Sequence, residues 1–259
     1  MSGTLAIQVG SIARRQILRT VRQPALVFFP VVFPLALMAV NAGGLTPATR
    51  LPGFPTDSFY AFALAVPFIQ GSLFATMDAG TQLARDIQDG FFNRLALTPM
   101  RGVALLVGLL GGVVTVGLAQ AVVYLSVGLA IGVDFHAGAL GILVLFALAA
   151  LILLGFGAIG ATAALRTGSG EAVQGLFPAF FVFLFLSSMN MPRNLMEIDW
   201  FRFVATANPV SYLLEGVRSL IITGWDGQAL ALGFGVAAAL TATALTAAAI
   251  SLRTRMERT

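Results

Sequence analysis

The chain has 259 residues, 58% hydrophobic and only 10% charged, with a formal net charge of +4. An ordinary soluble domain is about a quarter charged, so this balance excludes a soluble globule; apolar runs of about 20 residues point instead to an all-α polytopic membrane protein. With no cysteine and a single histidine, His136, disulfides, thiolate sites and His-rich metal sites are excluded.

The first 22 residues place Arg15, Arg19 and Arg22 on one helical face and Ala13, Ile17 and Val21 roughly opposite. That pattern predicts an interfacial amphipathic helix whose arginines meet anionic lipid headgroups, with Gln16 and Ile7 interrupting the stripe. The run after it is read as a retained first span over 24–40, kinked by Pro30 and Pro34. Further spans are predicted over 58–77, 103–131, 137–165, 172–189 and 229–252, six in all.

Between the second and third spans the chain turns polar. Leu83, Ile87, Phe91 and Leu95 recur every four residues, and Arg85, Asp86, Asp89 and Asn93 form a second sector, predicting a short amphipathic helix over 81–99. Gly90 weakens its middle by about 1 kcal/mol. Thr98-Pro99 ends it, and Arg101 joins it to the next span. A solvated connector and a lever that passes a push from a cytoplasmic partner into two spans both fit these residues.

Within the fourth span, Gly155 to Gly160 reads GxGxxG, but it sits in an apolar helix with no preceding strand, so close helix packing by small residues is expected. After Arg166, Ser169 is placed to cap the next helix and Glu171 to suit its positive end. Leu176 to Leu186 concentrates phenylalanines: Phe177, Phe180, Phe181, Phe183 and Phe185. They fit lipid-facing bulk, and equally an aromatic wall of a substrate path shared with Phe59, Phe62 and Phe68 of the second span. The segment 190–227 contains an apolar stretch, Asn208 to Gly224, too short to span. Its Glu215 and Arg218 are spaced to pair at i, i+3, and one or two short helices dipping into the outer leaflet are expected there.

Orientation follows from the arginines. With both termini inside, Arg14, Arg15, Arg19, Arg22, Arg85, Arg94, Arg101, Arg166, Arg253, Arg255 and Arg258 fall inside; Arg50, Arg193, Arg202 and Arg218 fall outside. All basic residues are arginine. A P-loop lysine and a Schiff-base lysine are therefore both absent, and if ATP drives the protein, another chain binds it. The predicted span cores hold no Asp, Glu, Arg or His, which argues against proton coupling and against an intramembrane enzyme.

Asp86, Gly90, Arg94, Leu95, Pro99 and Arg101 stand in the order acid, glycine, Arg-apolar pair, proline, Arg that follows the second span of ABC-2 permeases of the daunorubicin-resistance type. Ser187, Ser188, Pro192, Asn208, Pro209 and Arg218 match that family's fifth span and outer segment, and the chain resembles the family over nearly its whole length. It departs at Phe91-Phe92, where many members carry a threonine. The resemblance implies six spans, an N-terminal interfacial helix and re-entrant outer helices. It also implies a coupling helix over 81–99, with Asp86, Asp89, Gly90, Arg94, Leu95, Thr98, Pro99 and Arg101 docking on an ATP-binding subunit that holds ATP and Mg. The expected setting is the bacterial cytoplasmic membrane, with two ATP-binding subunits, a second permease copy or paralogue, and a hydrophobic drug-like or lipid-like substrate. No catalytic residue, cofactor or metal in this chain, and no nucleic-acid partner, is expected.

Overall fold

The computed structural model describes residues 2–90 and 102–257, and every regular element among them is helical. Eleven α-helices follow in chain order: α1 (Ser2–Val21), α2 (Pro24–Leu45), α3 (Phe59–Ala63), α4 (Ala65–Gln88), α5 (Gly102–Ala130), α6 (Gly138–Thr167), α7 (Gly170–Gln174), α8 (Leu176–Phe185), α9 (Asp199–Ala207), α10 (Pro209–Arg218) and α11 (Gly227–Met256). Among the described residues, five stretches are long and apolar enough to cross a membrane: Val27–Arg50, Phe59–Gln88, Val103–Ala130, Gly138–Thr167 and Gly227–Met256.

The expected fifth span, 172–189, is shorter than the rest. Helix α7 breaks at Gly175, where Pro178 has no N–H to return to Gln174, and α8 ends at Phe185. Gly170–Phe185 would reach about 24 Å at 1.5 Å per residue, against hydrocarbon about 30 Å thick. Buried non-helical backbone through Ser187, Ser188 and Met189 continues it.

The core lies where α4 and α6 cross, and the seam is made of glycine and hydroxyl groups. A side chain on Gly160 would run into the Thr76 carbonyl, and one on Gly80 into the Gly160 carbonyl and Val173. The Thr76 hydroxyl donates to the Phe156 carbonyl at 2.9 Å. Across the opposite face of α6, Gly155 makes room for Leu240 and Thr241 of α11, and the Thr241 hydroxyl donates to the Leu151 carbonyl at 2.9 Å. Small residues and hydroxyls suit contacts between membrane helices because lipid competes equally well for larger apolar surfaces. The Gly155–Gly160 stretch is thus a packing device, as its apolar context predicts.

The prolines of α2 have a partner elsewhere. Pro34 cannot donate to the Pro30 carbonyl, and the Tyr124 hydroxyl donates to it instead, at 2.6 Å. Gly71 leaves the space that the Tyr124 ring occupies, and Phe68 meets the same ring at 5.8 Å.

The buried face of α1 differs from expectation. Ile12 and Gln16 sit over Gly108 and Gly112 of α5, and Gln16 and Thr20 are buried. Gln16 was expected to disrupt an apolar face; instead its amide donates to Asp78 at 3.2 Å, alongside Gln82 at 2.5 Å.

Candidate functional site

The two ends of the bundle carry different chemistry. At the arginine-rich end, Arg15 pairs with Asp86 and Arg19 approaches the same carboxylate at 3.9 Å. Arginines expected to face lipid are thereby drawn to the end of α4. Gln88 donates to the Gly168 carbonyl at 3.0 Å, Arg166 to Ser251 at 3.2 Å and Arg255 to the Leu165 carbonyl at 3.0 Å. The end of α4, the α6–α7 turn and the end of α11 are therefore stitched into one surface. In that turn Ser169 accepts the Ala172 amide at 3.2 Å and donates to Glu171 at 2.5 Å. This hydrogen bond holds the Glu171 carboxyl below its ordinary range.

The described part of the polar segment, 81–90, is organised differently from the sequence expectation. Its first residues are the last turns of α4 itself, where Leu83 is buried in the bundle. Asp89 caps that helix, and Gly90, at φ +68, ends it. Gly90 is a terminator: a left-handed residue past the helix end is where glycine has its advantage. Arg94, Leu95, Thr98, Pro99 and Arg101 lie outside the described residues.

The opposite end is built around Arg218. Its residue is 5% exposed. Nε donates to the Phe62 carbonyl at 2.9 Å, Nη1 to Ser188 at 2.6 Å and Nη2 to Met189 at 2.5 Å, and the guanidinium lies 3.6 Å from the Phe62 ring centroid. The Ser188 and Met189 carbonyls lie past the end of α8, and the Phe62 carbonyl lies beside the break in the second span. The second span breaks at Leu64, where Pro67 cannot donate to Ala63, and α8 stops before Ser187. Asn208 completes the arrangement: its Oδ1 caps α10 at the Val210 amide, 2.9 Å, while Nδ2 donates to the Phe183 and Leu186 carbonyls at 2.6 and 3.1 Å. Pro209 occupies the first turn of α10, where a missing N–H costs nothing.

The expected Glu215–Arg218 pair does not form. Glu215 is held by Arg193 through two bonds, 2.7 and 2.5 Å. Burial pulls the Arg193 guanidinium down, but the Glu215 carboxylate outweighs it and holds the pKa above its ordinary value. After Arg218 a single π-helical turn, Ser219–Thr223, leads to the loop before α11. The backbone of His136 and Ala137 hydrogen-bonds to Ile221 and Leu220 of that turn.

The phenylalanines divide. Phe177, Phe181 and Phe185 stack along α8 at 5.0 and 5.6 Å, and Phe180 meets Phe156. The ring of the second span that reaches this stack is Phe74, 5.6 Å from Phe177, joined by Phe33 of α2. Phe59 and Phe62 cluster with Phe54, and Phe68 with Tyr124, so the structure does not bring these three to the α8 stack. Phe183 and Phe185 are exposed. The expected wall therefore recruits Phe74 of the second span and Phe33 of the first, while Phe59, Phe62 and Phe68 are buried in the core.

The ABC-2 type transporter family model matches residues 7–222. The chain belongs to the ABC-2 type transporter family. The daunorubicin resistance ABC transporter permease protein DrrB1 of Streptomyces coeruleorubidus is 29% identical to it over 205 residues, which cover 76% of this chain and 67% of that protein. This ABC-2 chain is thus a membrane subunit of an ABC transporter, of the kind whose ATP hydrolysis is carried by a separate ATP-binding subunit.

Proposed function

We propose that the chain is the permease of an ATP-driven exporter that moves a hydrophobic, drug-like or lipid-like substrate out across the cytoplasmic membrane. The family membership carries this reading, and the likeness to a permease named for daunorubicin resistance supports export of a drug. Export of a lipid, glycolipid or polysaccharide precursor by the same mechanism is the second reading; the exposed phenylalanines of α8, which suit an acyl chain as well as a flat drug, favour it.

In this account six spans cross the membrane, with α7 and α8 forming a short fifth, and both termini face the cytoplasm, as the arginine distribution supports. Two permease copies, or this chain and a paralogue, face each other above two ATP-binding subunits. The end of α4 through Asp86, Asp89 and Gly90, and on to Arg101, docks on those subunits. ATP-driven closure moves it, and the spans pass from inward to outward access. The stack of Phe177, Phe181, Phe74 and Phe33 receives the substrate by area burial with little directional bonding.

Co-expression with candidate ATP-binding subunits tests this. The expected result is a co-purifying complex whose ATPase rate changes when the permease is present. A chain that purifies alone and transports with a proton gradient but without ATP contradicts it.

A further inference from the structure

Arg193, Arg202 and Arg218 converge on one cavity of about 540 Å³ between α9, α10 and the start of α11. Two carboxylates share its lining, and both are committed. Glu215 accepts both bonds from Arg193, and Asp226 accepts the Gln228 and Ala229 amides as the cap of α11. Arg202 is answered by Asp199, which is not part of the lining. Arg218 has no carboxylate in ion-pair contact among the described residues. A guanidinium carries five N–H donors, and three of them reach carbonyls. The nearest carboxylate, Glu215, acts on Arg218 only through space and is already held by Arg193, and a buried cation with spare donors and no ion pair of its own is costly unless a partner arrives.

We propose that this cavity binds the phosphate group of an anionic amphiphile, with Arg218 as the charge that recognises it. A phosphate meets the geometry of a guanidinium fork better than it meets an ammonium. Arg202, which is exposed, has further N–H groups to offer at the mouth. Phe62 and Ile222 supply an apolar floor for the rest of the molecule. Helix α9, which contributes Arg202 and Thr206 to the lining, also carries Trp200 and Phe203, 62% and 75% exposed, and aromatic rings of this kind favour the headgroup level of a bilayer. The inference rests on the permease reading only for which leaflet supplies the lipid.

The chain's two tryptophans, Trp200 and Trp225, are both exposed, lie within two residues of the lining residues Arg202 and Asp226, and serve as reporters of occupancy. The full chain in phosphatidylcholine bilayers, with no ATP or partner subunit, is titrated with brominated phosphatidylglycerol or brominated phosphatidylcholine. Phosphatidylglycerol should quench at a mole fraction lower by about fivefold, the effect of one guanidinium near the surface. Thr206→Glu, at an exposed position of the lining, should erase that preference, as should Arg218→Met. Arg218→Lys should weaken it, and Arg50→Gln, outside the lining, should leave it unchanged. Equal quenching by the two lipids, or a preference that survives Thr206→Glu, overturns the proposal; Thr206→Glu keeps the test decisive if Arg218→Met does not fold. Displacement by millimolar inorganic phosphate at constant ionic strength assigns the site to free phosphate, and no displacement assigns it to lipid. Because no transport is measured, failure of the exporter reading leaves this result standing.

Discussion

Arg193, twenty-two positions before Glu215 in the chain, takes both carboxylate oxygens that the helical spacing offers to Arg218. This exchange frees Arg218 for the Phe62, Ser188 and Met189 carbonyls, the first in α3 and the other two in the non-helical backbone past α8. One charged pair at the rim thus allows one buried cation to join α3, α8 and α10.

Arg193→Ala, Glu215→Ala and the double variant measure this pair. The pair is partly exposed, so solvent screening limits it, and a coupling of about 1 kcal/mol is expected in thermal unfolding. Additive losses would mean that the pair contributes nothing.

Arg218→Ala removes three hydrogen bonds and leaves three carbonyls without those donors. The expected loss is on the order of 3 kcal/mol, larger than for either partner of the rim pair. A melting temperature within error of the parent protein would remove Arg218 from its structural role.

Tyr124→Phe leaves the Pro30 carbonyl without its donor while keeping the ring on Phe68 and Gly71. A loss of about 1–2 kcal/mol follows from stranding a buried acceptor. Adding Pro34→Ala restores an N–H to that carbonyl and should recover part of the loss; no recovery would mean that the hydroxyl has another role.

Much of this architecture is legible in the sequence, and the reasons for the rest are specific. Apolar length marks the long helices, and Ser169 and the glycines of α6 do what their local context predicts. Gly90 was misread as a weak point inside a helix, because a helical stripe that continues past a glycine does not reveal that the backbone turns left-handed there. Gln16 was misread because its partner, Asp78, lies in another helix. The Glu215–Arg218 spacing permits a pair, but spacing cannot report that Arg193 competes from a non-helical corner. Phe74 was missed because the sequence does not say which face of α4 meets α8: Phe68 and Phe74, on one unbroken helix, point to different faces, the first to Tyr124 and the second to Phe177.

Ser169→Ala removes the hydroxyl that donates to Glu171 and should return that carboxyl upward toward its ordinary range. Because its folded pKa is depressed, this contact stabilises the turn above the unfolded carboxylate pKa, and the contribution is lost as pH falls through the folded value. A carboxyl titration by NMR that is unchanged in Ser169→Ala would contradict the assignment.

The central claim is that the end of α4 meets an ATP-binding subunit. The chain has no cysteine, so Asp89→Cys and Arg193→Cys can each carry a single cross-linker in the complex with its co-expressed ATP-binding partner. The account predicts a covalent adduct with that partner from Asp89→Cys and none from Arg193→Cys. An adduct from Arg193→Cys alone, or labelling of Asp89→Cys only by reagent confined to the outside of the cell, would contradict it.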